Sequence, residues 1–496
     1  MRRFLLGACS LAAVGVALFT APGCGSDNED TAGDGGVSDI DGCTGFSCPQ
    51  EGGPKPGCVG LECQQLPCDV GAATSVTGTV LDPAGKVPIY NATVYIPNGP
   101  LAAITEGSGA CDRCDAQVTG KPIAITLTDT SGNFKLDNVP IGDKIPLVIQ
   151  IGKWRRQVEI PNVGKCVSTP LAAASTRLPK NRSEGHIPRM ALTTGGADPL
   201  QCLLRKIGID DAEFGVAGSE ARIHLYKGGG FAADKQASGK FSAAVSSGAA
   251  FPAAQPLWSD TANLNKYDVV LLSCEGDENI GTKPQAAKDA LYTYAKTGGR
   301  VFASHFHYAW FSKSTDATVA GVANWAPIDA VSGFNDRVPP AFPSNPKTTA
   351  VNGDISTAFP KAIAMNEWLT KQGALASGKL PIYDARHNID SVTDKSLSWI
   401  TAPSVTVAAP NDKPTQYMTF NTPIGAAADA VCGRVVVSDI HVAAGQQGAV
   451  SDDPQLDFPD GCKTTELSAQ QKALEFMLFD LSSCIQKDDA PIEPPH

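Results

Sequence analysis

Two stretches far apart in the chain repeat one pattern, G-R-V-x-x-S-[HD]-x-H: Gly299-Arg-Val-Phe-Ala-Ser-His305-Phe-His307 and Gly433-Arg-Val-Val-Val-Ser-Asp439-Ile-His441. Each reads as a short strand that runs into polar residues where the strand gives way to a loop. Side chains alternate along a strand, so His305 with His307, and Asp439 with His441, share a face as far as the extension persists. Open α/β sheets keep their ligand sites beyond such strand ends. A chain built this way is expected to bring three imidazoles and a carboxylate to two strand ends, and His387 sits at a third.

The residues before the first copy predict a strand-loop-helix-strand unit. Tyr267 to Ser273 is a near-continuous apolar run, as a parallel strand covered on both faces requires. Pro284 suits the first turn of a helix that buries Ala287, Ala290, Leu291 and Tyr294, and Gly298 ends it. Upstream, Arg189 to Thr194 and Ala221 to Tyr226 read as strands, with Asp198 as the N-cap of a helix carrying Leu200, Leu203, Leu204 and Ile207 on one face. Gly228-Gly229-Gly230 has neither GxGxxG nor GK[ST] spacing and reads as a turn rather than a nucleotide loop. Downstream the pattern weakens, apart from a helix near Pro360 to Lys371 and strand-like runs at Pro381 and Tyr417. Ser468-x-x-Gln471 is a capping box that opens a final helix.

The other end of the chain sets the compartment. Arg2 and Arg3 precede an apolar run from Phe4 to Thr20, and Ala21-Pro22-Gly23-Cys24 follows. This resembles a bacterial lipoprotein signal, which implies lipidation of Cys24 and, with Gly25 next, the outer membrane. Residues 25–41 are mostly Gly, Ser, Asp and Glu without a basic residue, a composition that cannot bury a core and reads as a tether. Of fifteen cysteines, Cys9 goes with the signal and Cys24 takes lipid, which leaves an odd number. In an oxidising compartment most should pair, with one thiol left over. Cys43-Thr-Gly-Phe-Ser-Cys48 and Cys58-Val-Gly-Leu-Glu-Cys63 read as two loops closed by disulfides. Cys111-x-x-Cys114 reads as a loop disulfide or as pairing with Cys166.

Between the tether and the histidine-bearing region the texture is short alternating strands: Val76–Val80, Ala92–Ile96, Ile123–Leu127, Phe134–Leu136 and Pro146–Ile151, set apart by Gly, Pro and Asn turns. The run VTGTVLDPAGKVPIYNATVYI with TDTSGNFKLDNVPIG resembles the carboxypeptidase regulatory-like domain, which implies a transthyretin-like β-sandwich acting as a spacer or binding module. From Arg189 onward, Tyr267-Asp-Val-Val-Leu-Leu, Gly298-Gly-Arg-Val-Phe-Ala-Ser-His305 and Gly433-Arg-Val-Val-Val-Ser-Asp-Ile-His441 resemble the trehalose-utilisation (ThuA)-like branch of the class I glutamine amidotransferase-like fold. That resemblance implies a flavodoxin-like, mostly parallel α/β sandwich and two strand ends lying close together. In the amidotransferases the position matching His305 is a cysteine in a G-x-C-x-G elbow, and this chain has no such motif.

The expected organisation is therefore multidomain, all-β followed by α/β: signal 1–23, tether 24–42, Cys-rich segment 43–72, β-sandwich 73–180, α/β domain 186–487 and tail 488–496. Candidate metal ligands are His305, His307, Asp439 and His441, with types and number suited to Zn²⁺ or a similar ion. Candidate catalytic groups are His305 and His441, with Glu275 or Asp277 as general base. Tyr308, Trp310 and Trp325 are candidates to line a sugar cleft. Cys274 sits beside Glu275, Asp277 and Glu278, whose charges disfavour a thiolate, and reads as structural or disulfide-bonded. The formal charge is −11 and no basic stripe stands out, which argues against nucleic acid. Two functions are in view: a non-catalytic envelope lipoprotein, on the periplasmic side or the cell surface, binding glycan or another envelope component, and a hydrolase acting on carbohydrate or a related ester or amide.

Overall fold

The computed structural model describes residues 53–486 except 70, 72, 110, 115–117, 327–349, 403–412 and 445–450, together with 492 and 494. The expected signal, Cys24, the tether, the Cys43–Cys48 loop and most of the tail lie outside the described residues.

Seven strands follow the Cys-rich segment: β1 Ser75–Thr79, β2 Thr93–Pro97, β3 Pro122–Leu127, β4 Asn133–Asp137, β5 Gly142–Ile151, β6 Trp154–Val163 and β7 Ser168–Pro170. They form a three-stranded sheet, β4-β1-β7, and a four-stranded antiparallel sheet, β3-β2-β5-β6. Val76, Phe134 and Leu136 of the first and Val94, Ile96, Leu147 and Ile149 of the second are buried in one hydrophobic cluster. The long strand β6 has no clear alternation, because it pairs with β5 along its whole length while several of its side chains stay partly exposed.

Twelve strands make the large sheet: β8 Met190–Thr193, β9 Phe214–Gly215, β10 Ile223–Tyr226, β11 Val269–Leu272, β12 Arg300–Ser304, β13 Ala323–Trp325, β14 Ala350–Ile355, β15 Leu380–Tyr383, β16 Ile389–Val392, β17 Leu397–Thr401, β18 Thr415–Thr422 and β19 Gly433–Ser438. The order β10-β8-β11-β12-β19 is parallel throughout, with short β9 on its outer edge. In chain order that is 2-1-3-4-5, the flavodoxin-like winding, whose ligand crevice opens between the first and third strands. Here that crevice lies between β8 and β11. The remaining strands extend the sheet antiparallel from β18, so the expectation of a mostly parallel sheet holds for one half only. The weak pattern of residues 323–422 has its physical reason here: antiparallel neighbours need no crossover helix between them, and among the described links only that between β14 and β15 carries a long one, Pro360–Lys371.

Period two explains the layering. Met190, Leu192, Val269, Leu271, Phe302 and Val436 fall in one buried cluster, and their neighbours Ala191, Val270, Leu272, Val301, Ala303, Val435 and Val437 in the other. The sheet is thus buried on both faces. Helix Gln285–Lys296 covers one with Ala287, Leu291 and Tyr294. The other is covered by the final helix, Ala469–Ser482, which opens with the expected Ser468/Gln471 capping box. Nearly all of that helix is buried, because it is shared. Phe479 packs on Trp154 of β6 and Phe476 on Tyr90, so the small sheets and the large one lean on the same helix. Both expected domains belong to one compact unit, Glu51–His496.

Covalent links reinforce that contact. Five disulfides join described residues: Cys58–Cys63, Cys68–Cys166, Cys111–Cys432, Cys114–Cys484 and Cys202–Cys462. The first closes a loop as expected. Cys111 and Cys114 pair neither with each other nor with Cys166: the β2–β3 insertion reaches across to the α/β region and is fastened there twice. Beside it Asp268, buried at the foot of β11, accepts from Gly107 N at 2.8 Å, Arg189 N at 2.7 Å and Lys153 Nζ at 2.6 Å. Disulfides in this number mark a chain that folds outside the reducing cytoplasm. Among the described residues no helix is long and apolar enough to cross a membrane.

Candidate functional site

The crevice between β8 and β11 opens into a cavity of about 500 Å³. Gly196 and Ala197 from the loop after β8, Gly276 after β11, His305 and Phe306 after β12 and His441 after β19 line it, so four parallel strands deliver their C-terminal ends to one place. Phe231, Lys235, Asp384, Arg386 and residues 451–455 complete the wall.

His305 and His441 reach the floor and Cys274 lies behind them, all three buried, with one potential ligand atom from each lying within 4.8 Å of the others. Cys274 Sγ is 3.4 Å from His305 Nδ1, and the two imidazoles meet edge to face with centroids 4.8 Å apart. His305 has φ of +35°, left-handed backbone at the junction where β12 turns into the short helical turn His305–Tyr308. A non-glycine residue accepts that conformation only when its surroundings impose it. The turn swings His305 out of the strand's alternation, which separates it from His307.

Asp198 holds these strand ends together. The helix it was expected to cap begins at Leu200 without a side-chain cap. Its carboxylate instead accepts from Ser304 Oγ at 2.6 Å and from Val442 N at 2.7 Å, the residues next to His305 and His441. Ala197 N donates to the carbonyl of Cys274 at 3.1 Å. Burial pushes the Asp198 carboxyl up to about 7, against the pull of its hydrogen bonds.

The other candidates lie elsewhere. His307 gives both ring nitrogens to protein: Trp310 Nε1 donates to Nδ1 at 2.9 Å and Nε2 faces the Ser273 carbonyl at 2.8 Å. That fixes a neutral ring, and burial lowers its pKa to about 4. Asp439 accepts the N–H groups of Asn388 at 3.0 Å and Ile389 at 3.4 Å. Neither joins the Cys274–His305–His441 group. Glu275 forms a buried ion pair with Lys283 at 2.6 Å and also accepts from Asn279 and Gly229. Burial opposes its charge, but the Lys283 ammonium and these hydrogen bonds outweigh it and keep its pKa low. Asp277 is exposed, and neither carboxylate lines the cavity. His387 pairs with Asp390 at 3.0 Å. Tyr308 and Trp310 are buried, Trp325 packs against Phe311 and donates to Ala320 O, and none of the three lines the cavity.

Cys274 is the one free cysteine among the described residues, and its acidic neighbours do not disqualify it as a ligand. Glu275 is neutralised by Lys283, and Glu278 turns to Tyr308 and Lys313. As a bare thiol it is a poor nucleophile: burial pushes its pKa far up, Asp198 adds to this, and the Phe306 and Gly276 N–H groups and Arg386 act the other way without prevailing. It also does not line the cavity.

No family model matches the chain, and no curated protein is significantly similar to it. Among solved structures, a protein described as thua-like from Parabacteroides merdae is 10% identical with a TM-score of 0.32, over 62% of this chain and 94% of that one. The major pilin subunit BcpA of Bacillus cereus is 16% identical with a TM-score of 0.13, over 23% of this chain and 31% of the pilin. A type II cohesin–X-dockerin complex from Acetivibrio cellulolyticus is 16% identical with a TM-score of 0.14, over 30% of this chain and 79% of that one. These likenesses are remote, and the site is argued from its own geometry.

Proposed function

We propose that this is an exported, lipid-anchored envelope protein whose α/β region is a metal-assisted hydrolase, with Cys274, His305 and His441 as the ligands. The observation that carries this is the convergence of three buried ligand atoms within 4.8 Å, two of them from residues that line a cavity at the strand-order switch point. The spacing of one pair suits the donors. Sulfur and nitrogen ligands at their usual distances from a tetrahedral Zn²⁺ stand about 3.5 Å apart, and Cys274 Sγ and His305 Nδ1 are 3.4 Å apart. One thiolate and two imidazoles fit Zn²⁺ in donor type, and three protein ligands leave a position open toward the cavity.

A divalent ion held there would supply an activated water at neutral pH. The chain's own part is to fix the ligands: the turn at His305 aims its ring, and Asp198 clamps the strand ends on which His305 and His441 stand. The three ligands come from loops after β11, β12 and β19, so their geometry is set by the parallel ladder rather than by a mobile loop.

The anchor reading rests on Cys24 in its signal context, and the many disulfides fit the compartment it implies. In this reading the small sheets are the regulatory-like sandwich, a rigid spacer between lipid and α/β region. Elemental analysis of purified full-length protein tests the metal reading. About one zinc per chain is expected, lost in His441→Ala and in Cys274→Ser and retained in His387→Ala. A metal-free protein that cannot be loaded would overturn it and return the cavity to a non-catalytic role in binding glycan or another envelope component.

A further inference from the structure

We infer that a second recess, the cleft between the β1–β2 turn and the loop after Cys462, is a binding site for a phosphate monoester, held chiefly by Lys180 and Lys463. It stands apart from the proposed metal site, since no described residue lines both recesses, and it does not rest on the hydrolase reading.

The cleft has a volume of about 370 Å³, within the range of small-molecule sites. Four lysines and one arginine line it against two aspartates, in a chain whose formal charge is −11. Both aspartates are engaged within the protein: Asp211 accepts from Arg205 at 2.7 and 3.1 Å, and Asp210 from Asn181 Nδ2 at 2.5 Å. Arg205 is thereby occupied as well. Lys206 forms a buried ion pair with Asp452 at 2.6 Å, and Lys86 an exposed one with Glu466 at 2.6 Å. That leaves Lys180 and Lys463, whose ammonium groups have no partner among the described residues. The Thr464 and Thr465 hydroxyls on the same wall have none either.

Both halves of the molecule build the cleft. The β1–β2 turn meets Gly208 at its base, where Ala84 N donates to the Ile207 carbonyl at 2.8 Å. Gly208 has φ of +99°, and a Cβ there would lie 2.2 Å from Ala84 N, so only glycine lets the two backbones approach. The backbones of both lysines are pinned. Lys180 N donates to Glu184 at 2.9 Å, and its carbonyl accepts from Asp210 N at 3.1 Å. Lys463 N donates to Asp452 at 2.7 Å, one residue after Cys462, which the disulfide to Cys202 fastens to the helix Leu200–Lys206. The cations come from positions as distant as Lys86 and Lys463, which is why no basic stripe shows in the sequence.

Two ammonium groups act as point charges without the planar fork of a guanidinium, so they select by charge more than by shape. A phosphate monoester carries about two negative charges at neutral pH and three terminal oxygens. It can engage both ammonium groups and a threonine hydroxyl together, whereas a carboxylate or a phosphodiester brings a single charge. The local excess of cations on an acidic protein draws such a ligand and gives no advantage to a neutral one.

The test is calorimetric titration of chelator-treated full-length protein, at about 0.15 M salt so that weak surface attraction is screened. The ligands are D-glucose 6-phosphate, D-glucose, dibutanoyl phosphatidate and dibutanoyl phosphatidylcholine, and chelation removes any metal that would itself bind phosphate. At least one monoester is expected to bind about tenfold or more tightly than its uncharged or zwitterionic counterpart. Tighter binding of the sugar ester points to a soluble phosphate as the source, and of phosphatidate to a lipid headgroup. Lys180→Gln and Lys463→Gln should each lower monoester affinity about five- to tenfold, while Lys135→Gln, at an exposed position on β4, leaves it unchanged. Thr464→Glu, which adds a negative charge at an exposed position and keeps both lysines, should lower it too, and carries the test if a glutamine variant does not fold. No preference for either monoester, a preference that survives Lys180→Gln and Lys463→Gln together, or an equal loss in Lys135→Gln would overturn the inference.

Discussion

Asp198 accepts a 2.6 Å hydrogen bond from Ser304, the residue immediately before His305, and its second oxygen takes the N–H next to His441. One carboxylate therefore bridges the two strand ends that carry proposed ligands. An alanine there accepts from neither donor, whereas a carboxamide still accepts from Val442 N and donates to the Ser304 hydroxyl. Asp198→Ala is expected to weaken zinc binding by about ten- to a hundredfold, the usual cost of losing a group that orients ligands. Competition against a chelator of known affinity measures this, and unchanged affinity in a folded variant would remove Asp198 from the role.

Stability should fall as pH rises through the range where Asp82 titrates. Burial pushes the Asp82 carboxyl from 3.8 up to about 6, against hydrogen bonds from Lys86 N and Val87 N and the Lys86 charge. Glu475, fully buried on the shared helix, is held well above its usual range by burial and by Asp82. A group whose pKa is raised by folding binds more protons folded than unfolded. Its contribution is complete below the unfolded value and is lost as pH climbs through the folded one. Two units correspond to about 3 kcal/mol. Asp82→Asn should therefore gain on the wild type by about that amount between pH 4 and pH 7 in urea unfolding; a constant difference across that range would refute the assignment.

The paired fastening of the β2–β3 insertion predicts a stability loss with no loss of site chemistry. Replacing Cys111 and Cys432 together by serine removes one of two neighbouring bridges, and Cys114–Cys484 still closes the long loop. A cost of about 2–4 kcal/mol is expected. Guanidinium unfolding at fixed pH reads it, and zinc content should not change.

Cys24→Ser is expected to release the protein from membranes. Fractionation with palmitate labelling checks this, and a variant that stays in the membrane pellet would rule out lipid as the anchor.

The strands of the parallel half and the buried face of the final helix were legible because each carries its own period: Val269–Leu272 is apolar throughout, and Leu474, Met477, Leu478 and Leu481 recur at helical spacing. The repeat located His305 and His441 correctly as strand-end neighbours. It also groups His307 and Asp439 with them, because alternation assumes the strand continues; β12 gives way to the left-handed His305, and β19 ends at Ser438. The acidic neighbours of Cys274 make it look structural in the sequence, and Lys283, eight residues on, cancels the nearest of them only after the chain has turned back. Asp198 has a sufficient local reading as a helix cap. Its role depends on contacts 106 and 244 residues away. Such distances leave no trace in spacing.

The bridges from Cys111 to Cys432 and from Cys114 to Cys484 span 321 and 370 residues. Because a chain emerges amino end first, the two early thiols reach an oxidising compartment long before their partners, and meet each other and Cys166 in the meantime. Correct oxidation is then an event of the finished chain rather than of the growing one, and secretion of this protein becomes an isomerase client's problem as much as a translocation one.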